Sequence, residues 1–290
     1  MYYGGLSEMH FTTSQEVIDL QNKEENLLLQ FASRCKYNSA EKWSYISWVI
    51  CLLSAFISIF SNDIFISILS FALDIAALIV TYIIDHLSNV AGDLRELFDS
   101  NTLGYPTEFT QIKIATLKEK AYKYINLSAY RESATNNGND IPPGVRDWYE
   151  FNLELPILAT QKECLSQNIW WNKKMIVNRI IITGVIGILA IALFIICVIT
   201  CSGLSKVTVI GIASTIIIKI IESLKNNLSY LRLSYDIDVL YAHLETDLTA
   251  PLLINIQNKI NRRRHLPVFE INFFHKKNAA RLSALYKSTH

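Results

Sequence analysis

Four long apolar runs constrain the fold of this chain more than any other feature of its sequence. They form two pairs, and a long, mostly polar segment separates the pairs. The runs cover residues 43–60, 64–84, 180–200 and 204–224. At 1.5 Å per helical residue each run would form a helix roughly 27–32 Å long, and the hydrocarbon core of a bilayer is about 30 Å thick. The runs therefore predict a polytopic membrane protein with four transmembrane helices in two hairpins.

The composition agrees with this prediction. Hydrophobic residues make up 51% of the chain, and most of its charged residues lie outside the four runs. The formal net charge is only +1, so the sequence gives no field that would attract a DNA or RNA polymer. The first residues lack a basic stretch followed by an apolar one, and we expect no signal peptide before the first run.

Motifs typical of catalysis and metal binding are missing from the sequence. It contains no GxSxG, HExxH, P-loop or GxGxxG pattern. Its five cysteines include no CxxC pair, so neither a disulfide framework nor a zinc site is predicted. We therefore expect a protein that is not an enzyme, with no catalytic residues, no metal site and no permanent cofactor.

Lys and Arg are distributed unequally around the four runs. The two short connections, residues 61–63 and 201–203, contain neither, whereas the segments before, between and after the hairpins contain many. Cytoplasmic segments of membrane proteins are enriched in Lys and Arg. We therefore expect a multi-pass protein with both termini and the central segment in the cytoplasm.

The segments outside the runs have helical patterns, and no alternating strand pattern persists. We predict five segments in chain order. They are an N-terminal cytoplasmic helix over 1–42, a transmembrane hairpin over 43–84, a cytoplasmic helical segment over 85–179, a second hairpin over 180–224 and C-terminal cytoplasmic helices over 225–290. The predicted fold class is an all-α membrane protein whose four transmembrane helices continue into a cytoplasmic helical bundle.

Capping residues and helix breakers predict the ends of these helices. Residues 12–14 can cap an N-terminal helix that joins the first span directly. The second span is expected to continue and to stop within residues 99–106, where Asn, Gly and Pro cluster. The other predicted boundaries are a helix over 108–127, a loop over 133–144, a helix from near Trp148 with a kink at Pro156, and an end of the fourth span near Thr249.

Polar residues inside the runs lie on single helical faces. Helical spacing places them in stripes on the first, second and fourth runs, while the third is almost purely apolar and offers Gly184 and Gly187 for close approach. The pore or gate candidates are Ser67, Ser70, Asp74, Thr215, Lys219 and Glu222. Such stripes occur at helix–helix seams as well as in water-lined pores, so both interpretations stay open. A bundle or a homo-oligomer with a common polar centre would fit either one.

Asp74 and Lys219 are the most unusual of these residues. Asp74 lies in the middle of its run, where an ionised carboxylate costs about 2.5–3.5 kcal/mol. The Lys219 side chain leans toward the bilayer middle, because Cβ atoms tilt toward the N-terminus of a helix. We hypothesise that the two residues pair, within or between protomers, and hold a closed state. The alternative is a protonated Asp74 that bonds to Ser70.

A run of three arginines lies in the C-terminal segment. Arg262 and Arg263, with the arginine that follows them, are expected to hold anionic lipid headgroups at the inner leaflet. A binding site for the phosphates of a nucleotide is the alternative, because Arg forms strong paired bonds to phosphate oxygens.

Two motifs in the central segment resemble those of a known family. Residues 142–149 read PPGVRDWY and set a rigid turn, and residues 164–172 read CLSQNIWWN just before the third run. With the two-hairpin layout, they resemble the SMODS-associated four-transmembrane family of pore-forming effectors. Bacteria encode these effectors beside cyclic-oligonucleotide synthases in antiphage systems. The chain departs from the family pattern at Asn172, where we expect Asp.

The resemblance implies a dormant effector in the inner membrane of a bacterium. A cyclic nucleotide from a partner synthase would activate or restrain it, and the open effector would disrupt the membrane and arrest or kill the infected cell. Two other functions remain open from the residues alone. One is a small channel or transporter that uses Asp74 and Lys219, and the other is a non-conducting membrane scaffold.

A cyclic oligonucleotide would need a pocket, which the resemblance places in the cytoplasmic helices. Aromatic stacking and arginine–phosphate contacts are the chemistry that such a ligand requires. The resulting candidates are Arg131, Arg146, Trp148 and Tyr149. An ordinary helix cap and ion pair is the alternative role for Arg146 and Asp147.

Overall fold

The structure is a computed structural model that describes residues 13–59, 64–138, 140, 142–200 and 204–268. Within these ranges the chain forms α-helices and no β-strand, so the all-α prediction is confirmed. The helices are α1 (Ser14–Gln21), α2 (Glu24–Ile59), α3 (Ile64–Leu103), α4 (Gln111–Tyr122), α5 (Ser128–Thr135), α6 (Ile157–Thr200), α7 (Leu204–His243) and α8 (Ala250–Arg264).

One helix of the described chain, α3, is long and apolar enough by itself to cross a membrane, with a mean hydropathy of 2.4 over its most apolar window. Large apolar side chains in the apolar run of α3 are exposed, among them Phe65, Phe71 and Leu78. The other three apolar runs lie in α2, α6 and α7, and each helix continues beyond its run at one end. The layout of four spans in two hairpins stays a prediction.

The chain divides into two compact units. The first unit contains Met1–Asn38, Ser88–Trp171 and Leu233–His265, and the second contains Ser39–Leu87, Asn172–Arg232 and Leu266–His290. Each unit therefore draws on several separate segments of the chain.

The core of the first unit forms around α3 and α8. Leu94, Leu97 and Phe98 of α3 are buried, and so are Leu253 and Ile256 of α8. Their spacing of three or four residues places each set on one helical face. An apolar stripe of this kind buries its surface only against other helices, and this burial is the main favourable contribution to folding.

Local signals set several helix ends as predicted. Thr13 caps α1, and its hydroxyl accepts from the N–H of Glu16 while the Glu16 carboxylate accepts from the N–H of Thr13. The end of α3 at Leu103 is also confirmed, since Gly104 follows with φ of 75°, a left-handed conformation that favours glycine. The N-terminal arm is nevertheless not one helix, because it breaks after Gln21.

The prediction of a helix from near Trp148 was wrong. Asp147 has φ of 43°, and hydrogen bonds with Asn22 hold both its N–H and its carboxylate. The next residues stay irregular because the N–H of Tyr149 donates to the side chain of Gln21. Helix α6 begins only after Pro156, which therefore precedes a helix instead of kinking one.

Two other predicted boundaries were wrong. The helix expected over 108–127 is shorter, since α4 begins after its Thr110 cap and ends at Tyr122. The extension of the fourth span ends at His243 and not near Thr249, where α8 follows with a proline in its first turn. A proline is tolerated there because the first N–H groups of a helix have no partner inside it.

Polar and small residues join the helices of the second unit. The amide of Asn227 on α7 donates to the hydroxyl of Thr183 on α6 at 3.4 Å. A Cβ at Gly187 would lie 3.1 Å from the Ile220 side chain, so the close approach predicted at this glycine is confirmed. Gly184 has open space instead, and the expectation of close approach there was wrong.

We expect Ile256→Ala to lower the free energy of unfolding by about 2–5 kcal/mol, because it leaves a cavity at a fully buried position of α8. The matched control is Ile112→Ala on α4, where the side chain is 81% exposed, and it should change stability by less than about 0.5 kcal/mol. Denaturant unfolding of the detergent-solubilised chain measures both, and equal losses would contradict this description of the core.

Candidate functional site

A polar cavity lies in the second unit, among α2, α3 and α7. Its volume is about 40 Å³, enough for about two or three water molecules. The residues that line it are Ser44, Trp48, Thr81, Ile84, Asp85, Lys219, Glu222, Ser223, Asn226 and Pro267. Most of these side chains are polar or charged, although all three helices contain a predicted transmembrane run. The cavity therefore brings polar and charged side chains together among otherwise apolar helices.

Lys219 is the central cation of this cavity. Its Nζ donates to the hydroxyl of Thr81 at 3.0 Å and lies 3.7 Å from a carboxylate oxygen of Glu222. The Lys219 side chain is only 14% exposed, and Asp85 of α3 also lines the cavity. The residue therefore does not face lipid, and both of its partners are ones that water or an ion can replace.

The prediction that Asp74 pairs with Lys219 was wrong for a pairing within one protomer. The carboxylate of Asp74 accepts from the hydroxyl of Ser54 at 2.8 Å, and Ser54 is 3.0 Å from the hydroxyl of Ser70. Lys219 instead bonds Thr81, which lies about two helical turns beyond Asp74 on α3. Each group thus has a nearer partner. A pairing between protomers stays a prediction.

The predicted pore residues do not all lie at the cavity. Lys219 and Glu222 line it, whereas Ser70 and Asp74 belong to the hydroxyl–carboxylate chain with Ser54. The side chains of Ser67 and Thr215 are outside the described residues. Thr81 and Asp85 line the cavity but were not among the predicted pore residues, although both follow Asp74 at helical spacing.

The ligand candidates of the central segment lie in different surroundings. Arg131 on α5 and Arg146 are exposed, and Nε of Arg146 is 4.0 Å from the Asp147 carboxylate. Trp148 is partly exposed, whereas Tyr149 is buried. The ligand roles of all four residues stay predictions, but Tyr149 has no surface to offer in this conformation.

The two arginines of the C-terminal run also differ. Arg262 is exposed, as a contact to lipid headgroups or phosphate requires. Arg263 is buried, and its guanidinium donates to the Asn168 carbonyl at 3.0 Å and to the Ser234 hydroxyl at 3.4 Å. Arg263 therefore joins α8 to other helices of the first unit.

A buried carboxylate, Asp99 of α3, lies at the centre of the first unit. The hydroxyl of Tyr149 and the amide of Gln257 each donate to it at 2.7 Å, and Nη1 of Arg264 donates at 2.5 Å. Burial and the negative charge of Asp99 raise the pKa of Tyr149 well above its usual value. Burial alone would lower the pKa of Arg264, but Asp99 more than offsets this and keeps it raised. Tyr149 thus stays a neutral donor, and Arg264 stays charged.

Sequence reasoning missed two arginines that contact Trp148. The Cζ atom of Arg95 lies 4.2 Å from the centre of a Trp148 ring, and that of Arg34 lies 5.9 Å away. Arg34 lies on α2 and Arg95 on α3, two helices that also supply residues of the core. No motif in the sequence singles out either position.

His265, just after α8, forms a second charged cluster in the first unit. Its Nε2 lies 3.1 Å from Oδ1 of Asp93, and its Nδ1 lies 2.7 Å from the carbonyl oxygen of Asn261. Both contacts need a donating nitrogen, as in the imidazolium ion. The hydrogen bond with Asp93 raises the pKa of His265, although burial opposes it. Burial would raise the pKa of Asp93, but the bonds from His265 and Lys113 outweigh it and lower that pKa.

The described ranges of the chain are helical, and one of their helices is apolar and long enough to cross a membrane. The family model of the SMODS-associating 4TM effector domain matches residues 15–231, which is most of the chain. The chain belongs to this family, and the resemblance seen in its two motifs is confirmed.

The family description indicates a membrane effector associated with SMODS cyclic-oligonucleotide systems. The family is not known as a catalytic one. Comparison with curated proteins and with solved structures returned no significant match.

We expect Asp99→Asn to lower the free energy of unfolding by about 3–5 kcal/mol, because it leaves the Arg264 guanidinium buried without its counter-ion. Glu119→Gln also removes one negative charge, but from an exposed position of α4, and it should change stability by less than about 0.5 kcal/mol. Thermal unfolding in detergent distinguishes the two variants. A wild-type melting temperature for Asp99→Asn would show that the buried pair is not needed.

The contact between His265 and Asp93 should make stability depend on pH on both sides of neutrality. The raised pKa of His265 means that its contribution is complete below about pH 6.5 and is lost as pH rises through the raised value. The lowered pKa of Asp93 means that its contribution is present above about pH 4 and is lost as pH falls further. His265→Gln should remove the loss on the alkaline side.

Melting temperatures between pH 5 and pH 9 measure this effect. Burial also raises the pKa of the neighbouring Glu96, so the difference between wild type and variant, and not the wild-type profile alone, isolates His265. His243→Gln changes an exposed histidine and serves as the control. The assignment fails if His265→Gln loses stability with rising pH as steeply as the wild type does.

Proposed function

We propose that this protein is the membrane effector of a bacterial antiphage system and that it disrupts the inner membrane under the control of a cyclic nucleotide. A partner synthase would supply the nucleotide, and the bilayer and further copies of the chain would be its other partners. The family description, which joins an effector to SMODS systems, supports the biological setting. The membrane-disrupting step needs support from the site itself.

The observation that carries the proposal is the position of Lys219. Its side chain is directed into a polar cavity in a unit whose outer surfaces are apolar. A charged group in a transmembrane helix is costly, and such groups mark ion or substrate pathways. The Ser47 hydroxyl of α2 is also fully buried and has no hydrogen-bond partner among the described residues. A water molecule can satisfy a buried hydroxyl of this kind.

The size of the cavity favours a closed resting state. A space for about two or three water molecules is too small for a continuous path of hydrated ions. The bond from Lys219 of α7 to Thr81 of α3 joins two of the cavity walls. We therefore propose that opening separates α3 from α7 at this bond and that an assembly of several copies completes the pore.

Lys219→Met should increase the leakage of ions from liposomes in the absence of nucleotide. A hydrogen bond to a charged group contributes about 1.5–3 kcal/mol, so its loss from the closed state alone would raise the open fraction about tenfold or more. Lys225→Met is the matched control, because Lys225 is an exposed lysine of the same helix. Unchanged leakage in Lys219→Met would argue against a closed-state role for this contact.

Control by nucleotide needs a second experiment. Dye or ion leakage is measured from liposomes that contain the wild-type chain, across a panel of cyclic di- and trinucleotides. The proposal expects a change in leakage with at least one of them, in either direction. Constant leakage that no nucleotide alters would favour an ordinary channel. A complete absence of leakage under every condition, in wild type and Lys219→Met alike, would favour a scaffold.

A further inference from the structure

Arg95 differs from the other arginines buried in the first unit. Arg264 bonds the Asp99 carboxylate, and Arg263 bonds a carbonyl and a hydroxyl. Arg34 bonds the carbonyl oxygens of Pro143 and Gly144. Within the part of the chain that the structure describes, Arg95 has no hydrogen bond and no carboxylate within ion-pair distance. Its contact is with the ring of Trp148.

The free donors of Arg95 matter because a guanidinium has five N–H groups and no acceptor. Asp93 and Glu96 are nearer along α3 but form no ion pair with Arg95, and Asp99, one turn further on, already accepts from three other donors. Contact of the guanidinium with an aromatic ring leaves its N–H edge available for an acceptor. Arg95 is partly exposed, so a ligand can reach that edge.

The charge around Arg95 favours an anion. Burial and the positive charge of Arg264 together lower the pKa of Arg95 to about 10. A partly buried cation that forms no ion pair is costly to maintain. An anion at this position would offset that cost, and the site therefore has a preference for negative charge.

The segment before Trp148 is held tightly in place. A Cβ at Gly144 would lie 1.6 Å from the backbone oxygen of Asn136, so only glycine fits there. Arg34 donates to the Pro143 and Gly144 carbonyls and fixes the same segment from α2. Trp148 is thus preorganised, and its ring in turn limits the orientations that the Arg95 guanidinium can adopt.

We propose that Arg95 binds a phosphodiester group of the cyclic nucleotide and that Trp148 orients its guanidinium. The ligand class is an oligonucleotide, whose phosphates suit the two-pronged edge of arginine and whose bases can contact exposed aromatic surface. Arg34 acts as a positioning residue. This inference rests on the proposed function, but it assigns the contact with the nucleotide to Arg95, a residue that the sequence motifs do not single out.

The test measures binding of the panel of cyclic di- and trinucleotides, and of inorganic pyrophosphate, to the full chain in detergent by calorimetry. Arg95→Gln should weaken binding of the nucleotide at least tenfold, and Arg95→Lys should retain part of the affinity because it keeps the charge. Trp148→Leu should also weaken binding. The matched control is Arg232→Gln, an exposed arginine of α7 that is not a ligand candidate, and it should bind as the wild type does. Arg146→Gln, at the exposed ligand candidate two residues from Trp148, is measured beside it.

A melting temperature separates a loss of binding from a loss of folding, and Arg95 has no ion pair to lose. The melting temperature of Arg95→Gln should equal or exceed that of the wild type, in contrast to a variant of the Asp99 pair. Wild-type affinity in Arg95→Gln, or a loss confined to Arg146→Gln, would overturn the inference and leave the proposed function standing. Binding of pyrophosphate alone would also overturn it.

The remaining outcomes separate the two proposals. Nucleotide binding that depends on Arg95, with leakage that no nucleotide changes, would support the site and reject nucleotide control of the membrane step. A wild-type chain that binds neither the nucleotides nor pyrophosphate would reject both. Arg95-dependent binding together with a change in leakage that Arg95→Gln abolishes would support both.

Discussion

The need to neutralise one buried carboxylate determines how several segments of the first unit are arranged. Asp99 is fully shielded from solvent, and an uncompensated ion at such a position costs several kcal/mol. Its donors come from the irregular segment before α6 and from α8, through Tyr149, Gln257 and Arg264. These segments are far apart in the sequence, so the unit can bury Asp99 only when all of them are in place.

The buried charges of the protein differ in how completely they are compensated. Asp99 has three donors and therefore stabilises the fold. Lys219 has a hydroxyl and a loosely placed carboxylate, which an ion or water can replace. Arg95 has an aromatic ring and no acceptor. The charge of Asp99, which has a structural role, is thus compensated more fully than the charges of Lys219 and Arg95, for which we propose functional roles. A charged group with few partners still has hydrogen-bonding positions that a ligand can occupy.

The parts of the fold that the sequence predicts are those that depend on local signals. Long apolar runs predict helices, the Thr13 cap predicts a start, and Gly104 predicts an end. The irregular segment around Trp148 escaped prediction because hydrogen bonds from Gln21 and Asn22, distant in the sequence, hold it out of a helix. The hydrogen-bond partner of Lys219 was not predicted for a related reason. The depth of a residue along its helix does not determine which of several acceptors on the neighbouring helix lies nearest to it.

Helix α3 contributes both Arg95 and Asp99 to the first unit, one helical turn apart. A continuous α-helix advances by about 100° per residue, so these two side chains have a fixed angle relative to each other. The three residues between them can therefore change in composition with little effect on that angle, but a single inserted or deleted residue would turn one of the two away from its contacts by more than a quarter of a circle. The number of residues between the two charges is thus constrained as strictly as the charges themselves.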